Sequence, residues 1–179
     1  MIYMFLAEGF EEVEALAPLD LMRRAGLSVT TVGVDGKTVV GAHGITITAD
    51  MADKDYADDA PEMIFLPGGM PGTLNLAASK VVQSAIDTAV RTNAYLAAIC
   101  AAPSILGDLG LLQGKEAICY PGFEERLTGA KISEQRVVRD GKILTAAGMG
   151  VAVEFGLAIV EELLGAEKAE ELRRAVLAD

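Results

Sequence analysis

The chain has 179 residues, 51% of them hydrophobic and none of them Trp, and a net charge of −11 from 15 Lys and Arg against 26 Asp and Glu. That length predicts one domain over residues 1–179 with an aliphatic core, and the acidic balance argues against nucleic acid or an anionic membrane as a partner. Two cysteines and one histidine give neither a disulfide framework nor zinc-ligand spacing, so the expectation is a reducing cytoplasm with no metal and no other cofactor.

Residues 2–7 are an apolar run that reads as a buried parallel strand. No basic residue precedes it and Glu8 ends it, so it is too short for a signal peptide or a membrane span. Residues 11–25 carry helical spacing in Val13, Leu16, Ala17 and Met22, with Pro18 as a kink or as the start of the main segment and Gly26 as the stop. A strand over 28–34 follows, then a turn at Asp35-Gly36, a strand over 38–40 and a short exposed strand around Ile45 and Ile47. Residues 63–66 read as a buried strand ending at Pro67-Gly68-Gly69, and 79–92 as an amphipathic helix. Next come a strand from Tyr95, a helix from Ala101, strands over 117–120, 136–138 and 143–146, and closing helices over 151–164 and 166–177. Repeated strand–helix units predict a mainly parallel sheet covered on both faces.

In such a sheet ligands bind beyond the carboxyl ends of the strands. The loop after the first strand, Pro67-Gly68-Gly69 and the turn at Cys100 all fall on that edge. Cys100 ends an apolar run at the start of a helix, with Ala98 and Ala102 two residues to either side. Small neighbours are what a nucleophile elbow requires, because larger ones collide across so tight a turn. The following helix start favours negative charge, so the thiol is expected to ionise more easily than a free one. The alternative is a buried cysteine that acts as a small hydrophobe without chemistry. Glu11, Glu12 and Glu14 read most simply as first-turn acids facing a helix N-terminus.

Six ordered stretches are similar to the ThiJ/PfpI superfamily, in the branch of the parkinsonism-linked protein deglycase (DJ-one). They are Gly9-Phe10-Glu11-Glu12-Val13-Glu14, Arg23-Arg24-Ala25-Gly26, Leu66-Pro67-Gly68-Gly69, Ala97-Ala98-Ile99-Cys100-Ala101-Ala102-Pro103, Asp140-Gly141-Lys142-Ile143-Leu144-Thr145, and Glu154-Phe155-Gly156-Leu157-Ala158-Ile159-Val160. The resemblance implies a flavodoxin-like three-layer α/β/α sandwich, a homodimer, and Cys100 as a reactive cysteine at the elbow. It also implies that Glu14 hydrogen-bonds the sulfur as a carboxyl of raised pKa, and that the backbone N–H groups of Gly69 and Ala101 form an oxyanion hole. Gly68 belongs to the same pocket-lining turn.

Many superfamily members carry a histidine where this chain has Tyr120, which leaves a cysteine peptidase or amidase poorly supported. His43 matches a position that reaches a partner's active site in family dimers, and is otherwise a loop residue. Cys119 reads as a buried strand residue, with a resolving thiol as the alternative. The implied activity is a cofactor-independent glyoxalase or deglycase acting on methylglyoxal, glyoxal or their adducts. The alternative is a redox-sensing, chaperone-like protein whose Cys100 is oxidised to sulfinate.

Overall fold

Apolar runs four or five residues long become the centre of the sheet because both of their faces are covered, while the shorter and more polar segments lie at the edges or outside it. The computed structural model describes residues 1–57 and 59–178. In chain order its elements are β1 (Ile2–Leu6), α1 (Glu12–Arg24), β2 (Val29–Gly33), β3 (Thr38–Val40), β4 (Thr46–Thr48), β5 (Met51–Ala52), β6 (Met63–Leu66), α2 (Gly72–Ala78) and α3 (Lys80–Arg91). Then follow β7 (Tyr95–Ile99), α4 (Pro103–Asp108), β8 (Glu116–Ala117), β9 (Lys131–Ile132), β10 (Val137–Asp140), β11 (Ile143–Ala146), α5 (Ala152–Leu164) and α6 (Ala166–Ala175).

Seven strands form the central sheet in the order β10-β11-β7-β6-β1-β2-β5. Every neighbouring pair is parallel except β10 with β11. This is the mainly parallel sandwich that the strand–helix alternation predicts. Alternate strand residues feed two cores. Met4, Leu6, Phe65, Ile99 and Leu144 pack toward α1, α5 and α6, while Phe5, Leu66, Ala98 and Ile143 face the side of α3 and α4. The chain leaves β1 toward β2 and β5 on one side and returns to β6 on the other. The reversal opens a crevice between the loops after β1 and β6, at the carboxyl edge where such sheets bind ligands.

Helix α1 runs through Pro18 and stops at Gly26, whose φ of +90° is the left-handed turn that a glycine adopts without penalty. The Gly26 N–H bonds the Arg23 carbonyl at 3.1 Å and the Leu27 N–H bonds the Met22 carbonyl at 3.0 Å. Against α1 lies α5, where Gly156 permits close approach: a Cβ there would sit 2.8 Å from Leu21 Cδ1 and 3.0 Å from Pro18 Cα.

Several elements differ from the sequence expectation. Residues 118–120 leave the expected strand after Ala117, because the Tyr120 N–H is drawn to the Cys100 carbonyl at 2.8 Å and the Ile118 N–H to Thr145 Oγ1 at 3.0 Å. The helix after Cys100 starts at Pro103 and lasts six residues. Helix α2 and the two-residue β5 were not expected, since neither carries a periodic apolar signal of its own. Among the described residues no helix is long and apolar enough to cross a membrane.

Candidate active site

The carboxyl ends of β1, β6 and β7 bring Glu14, Gly68, Gly69 and Cys100 together. Cys100 stands at the elbow with φ +64°, a conformation that costs a non-glycine residue about 1–2 kcal/mol. Two backbone bonds hold it there: its N–H donates to the Ala146 carbonyl at 2.9 Å, and its carbonyl accepts from Tyr120 N–H. The result is a half-buried sulfur that receives hydrogen bonds from the backbone N–H groups of Gly69 and Ala101 and shares one with the Glu14 carboxyl.

Glu14 lies in the first turn of α1, yet its side chain does not serve the helix end. Glu11 does that, accepting the Glu14 N–H at 2.7 Å as the N-cap. The Glu14 carboxyl is thereby left to point inward. It is 1% exposed, its Oε2 accepts the Gly68 N–H at 3.0 Å, and the Met149 N–H also bonds it. Gly68 is required by space: a Cβ there would fall against Glu14 Oε2 and 2.5 Å from Cys100 Cβ. Gly69 combines φ +90° with a backbone packed so tightly on Gly9 and Glu11 that a Cβ would strike the Glu11 nitrogen.

Burial pushes the Glu14 carboxyl up, aided by the charge of Glu11 and opposed by hydrogen bonds from Cys100, Gly68 and Met149, to about 7. Burial also raises the Cys100 thiol, as do the charge and hydrogen bond of Glu14, against the N–H groups of Gly69 and Ala101, to about 12. The thiol is therefore not the easily ionised group that a helix start alone would produce: desolvation beside a carboxylate outweighs a one-and-a-half-turn helix. Both Glu14 contributions depend on that carboxyl being ionised, so the two groups titrate as a coupled pair, while the larger effect of burial on the thiol remains in either state.

The remaining expected residues are placed differently. Tyr120 is 51% exposed at the rim of an open groove of about 360 Å³ that also includes Gly148 and Met149. The Nδ1 of His43 sits 2.8 Å from Glu12 Oε2 and 3.9 Å from Glu11 Oε1, with the side chain 70% exposed, so the ring is tied to the glutamates rather than to the sulfur. Glu12 is buried, and its Oε1 accepts the N–H groups of His43 at 2.8 Å and Ile45 at 3.4 Å. Burial alone would raise the Glu12 pKa, but the bonds from the His43 ring and loop backbone outweigh it and hold the carboxyl below its usual range. The pairing raises the His43 pKa in turn.

Glu11, Glu12 and His43 can each offer a ligand atom within 4.8 Å of the others, a grouping hidden by the sequence separation of 31 positions between Glu12 and His43. The Glu12 oxygens are already occupied in fastening the loop around His43. Cys119 is buried in the cluster on the far face of the sheet, where burial first and then the charge of Glu124 push its thiol up to about 11. It lies in irregular backbone after β8, not in the strand expected for it.

Sequence reasoning missed the loop after β11. The glycine-bracketed Gly148-Met149-Gly150 follows a strand adjacent to β7 and so reaches the same edge, where Met149 supplies an N–H to Glu14. Glycines at both ends of that segment were the available signal.

The sequence model of the DJ-1/PfpI family matches residues 1–162. The chain is 43% identical over 173 residues to Protein DJ-1 homolog B of Arabidopsis thaliana, covering 93% of this chain but 39% of that relative, so it spans less than half of that protein's length. It is 34% identical over 167 residues to the Glutathione-independent glyoxalase DJR-1.2 of Caenorhabditis elegans, covering 92% of this chain and 89% of that one. The solved structure of oxidized Toxoplasma gondii DJ-1 superposes with a TM-score of 0.94 at 32% identity, over 98% of this chain and 97% of the other.

Proposed function

This chain belongs to the DJ-1/PfpI family, and from that premise we propose that it is a cysteine-dependent glyoxalase or deglycase for 2-oxoaldehydes and their adducts. The observation that carries the reading is geometric: a buried Glu14 carboxyl, held by the Gly68 N–H at 3.0 Å, meets the Cys100 elbow and the Gly69 and Ala101 N–H groups at one edge of the sheet. Proton transfer from Sγ to the Glu14 carboxylate gives a thiolate beside a neutral acid. The thiolate forms a bond to the aldehyde carbon, the carbonyl electron pair moves onto oxygen, and Glu14 returns its proton there to give a hemithioacetal. The Gly69 and Ala101 N–H groups are the donors available to that oxygen.

Glu14, again ionised, removes the C1 proton, and reprotonation at C2 produces a 2-hydroxy thioester. Water then cleaves the thioester, restoring the Cys100 thiol and releasing a 2-hydroxy acid. The net change is aldehyde plus water to acid, with the neighbouring carbonyl reduced to the alcohol, so methylglyoxal yields lactate and glyoxal yields glycolate. The test is lactate formation from methylglyoxal without added thiol. Wild-type turnover lost in Cys100→Ser and lowered at least a hundredfold in Glu14→Gln supports the reading. Equal turnover in wild type and Cys100→Ser overturns it.

The same surroundings favour a second use of Cys100. A neutral Glu14 O–H and two backbone N–H groups are donors suited to sulfinate oxygens, and a relative of the same fold is described as oxidized. Two peroxide molecules per thiol would give the sulfinate and two waters, and mass spectrometry would find the two added oxygens on Cys100 before Cys119 or the methionines. Oxidation without that preference removes the sensing role. A homodimer is part of the proposed reading, and sedimentation at a monomer's mass would remove it.

A further inference from the structure

The groove beside Glu14 contains a charge that the proposed chemistry leaves unused. Arg136 precedes β10 and lines the groove together with Tyr120, Gly148, Met149 and Gly150. Its guanidinium donates one hydrogen bond, to the Gly150 carbonyl at 3.1 Å, and among the described residues it has no carboxylate partner. Six other arginines do pair with carboxylates: Arg23, Arg24, Arg126, Arg139, Arg173 and Arg174. Arg91 also has no carboxylate partner among the described residues and donates to Thr88 Oγ1 at 2.7 Å. In a chain of net charge −11, Arg136 is thus one of two such arginines and the one that lines this groove.

The groove also abuts the reacting centre. A Cβ built on Gly148 would lie 3.3 Å from the Tyr120 ring and 3.9 Å from Glu14 Oε1, so Gly148, which lines the groove, also borders the carboxylate. The groove's volume of about 360 Å³ falls within the range of small-molecule sites. A three-carbon 2-oxoaldehyde held at Cys100 would leave most of it empty. A longer one would extend past Gly148 and bring its far end to Arg136, whose planar fork is shaped for a carboxylate.

We propose that Arg136 is a specificity-determining residue that selects 2-oxoaldehydes carrying a distal carboxylate. The inference rests on the 2-oxoaldehyde reading above and adds the class of substrate to it. The hydrogen bond from Arg136 to Gly150 gives it a second, structural contact, because Gly150 adjoins the Met149 whose N–H bonds Glu14. Loss of that brace would affect all substrates alike, which separates it from charge recognition.

The experiment compares 4,5-dioxopentanoate with its neutral methyl ester as substrates for wild type, Arg136→Gln and Arg136→Lys. The expected product from the acid is 2-hydroxyglutarate, by the same addition of water. Wild type should prefer the acid in kcat/KM, and Arg136→Gln should reduce that preference about tenfold or more, through KM and not kcat, as loss of a charge-assisted hydrogen bond does. Arg136→Lys should recover part of it, because the charge remains and the fork is gone. A wild type that turns over both substrates without preference, or a Gln variant that lowers both equally, overturns this inference while leaving the reaction intact. A wild type inert toward both overturns the reaction and this inference with it.

Discussion

Replacing Glu14 by Gln should make the folded protein more stable at alkaline pH, even though the side chain sits in the proposed reacting centre. The carboxyl ordinarily titrates at 4.5 and is held at about 7 in the folded chain, with burial as the leading cause. A folded pKa above the unfolded one means that the native state binds the proton more tightly. The associated stability is therefore fully present below pH 4.5, is lost as pH rises through about 7, and is gone above it. At roughly 1.4 kcal/mol for each pH unit of difference, the loss comes to about 3 kcal/mol. Glutamine stays neutral throughout, its amide oxygen can still accept the Gly68 N–H, and its NH₂ replaces the O–H that faces the sulfur. Denaturant unfolding of wild type and Glu14→Gln between pH 4.5 and 8.5 should show the difference between them shifting by about 3 kcal/mol toward the glutamine variant. The same slope should survive in a Cys100→Ser background, because burial and not the thiol is the main cause. Stability curves that run parallel across that range would refute the assignment of a desolvated, neutral Glu14.

Three further outcomes are expected. Gly68→Ala should destabilise the fold by about 1–3 kcal/mol and abolish turnover, because its Cβ would occupy the space of Glu14 Oε2 and Cys100 Cβ; denaturant midpoints and lactate assays read both effects. Cys100→Gly should be more stable than Cys100→Ala by about 1 kcal/mol, since only glycine adopts φ +64° without strain, and equal unfolding midpoints would remove that strain from the elbow. In an NMR titration, His43 should lose its proton above the ordinary 6.5, and Glu12→Gln should bring the midpoint back down, because Glu12 is the first cause of the shift.

Most of the strands and helices, the sheet edge where the loops after β1, β6 and β7 meet, and the elbow cysteine were legible in the sequence, because each is written in local pattern. Apolar runs marked β1, β6, β7 and β11, and the small residues around Cys100 marked a turn that tolerates nothing larger. The roles of three nearby glutamates were not legible. Glu11, Glu12 and Glu14 are equivalent as first-turn acids, and in the folded chain one caps the helix, one fastens the His43 loop and one enters the pocket. Helical rotation and the placement of partners many residues away divide those tasks, and neither is a property of the local sequence.

The thiol makes the same point about energetics. A cysteine before a helix reads as easily ionised, but the charge of the sulfur depends on how much water is excluded and on the ionisation of the Glu14 carboxyl coupled to it. Met149 and Arg136 likewise acquire their places only when β11 pairs with β7 and carries its following loop to the same edge. Composition and periodicity thus determined the layers and the position of the elbow cysteine, since burial of apolar surface is decided residue by residue along the chain. Tertiary structure alone decided the shifted titrations of the pair, the division of labour among the acids and the placing of Arg136 at the groove, because desolvation and charge act through distances between residues far apart in sequence.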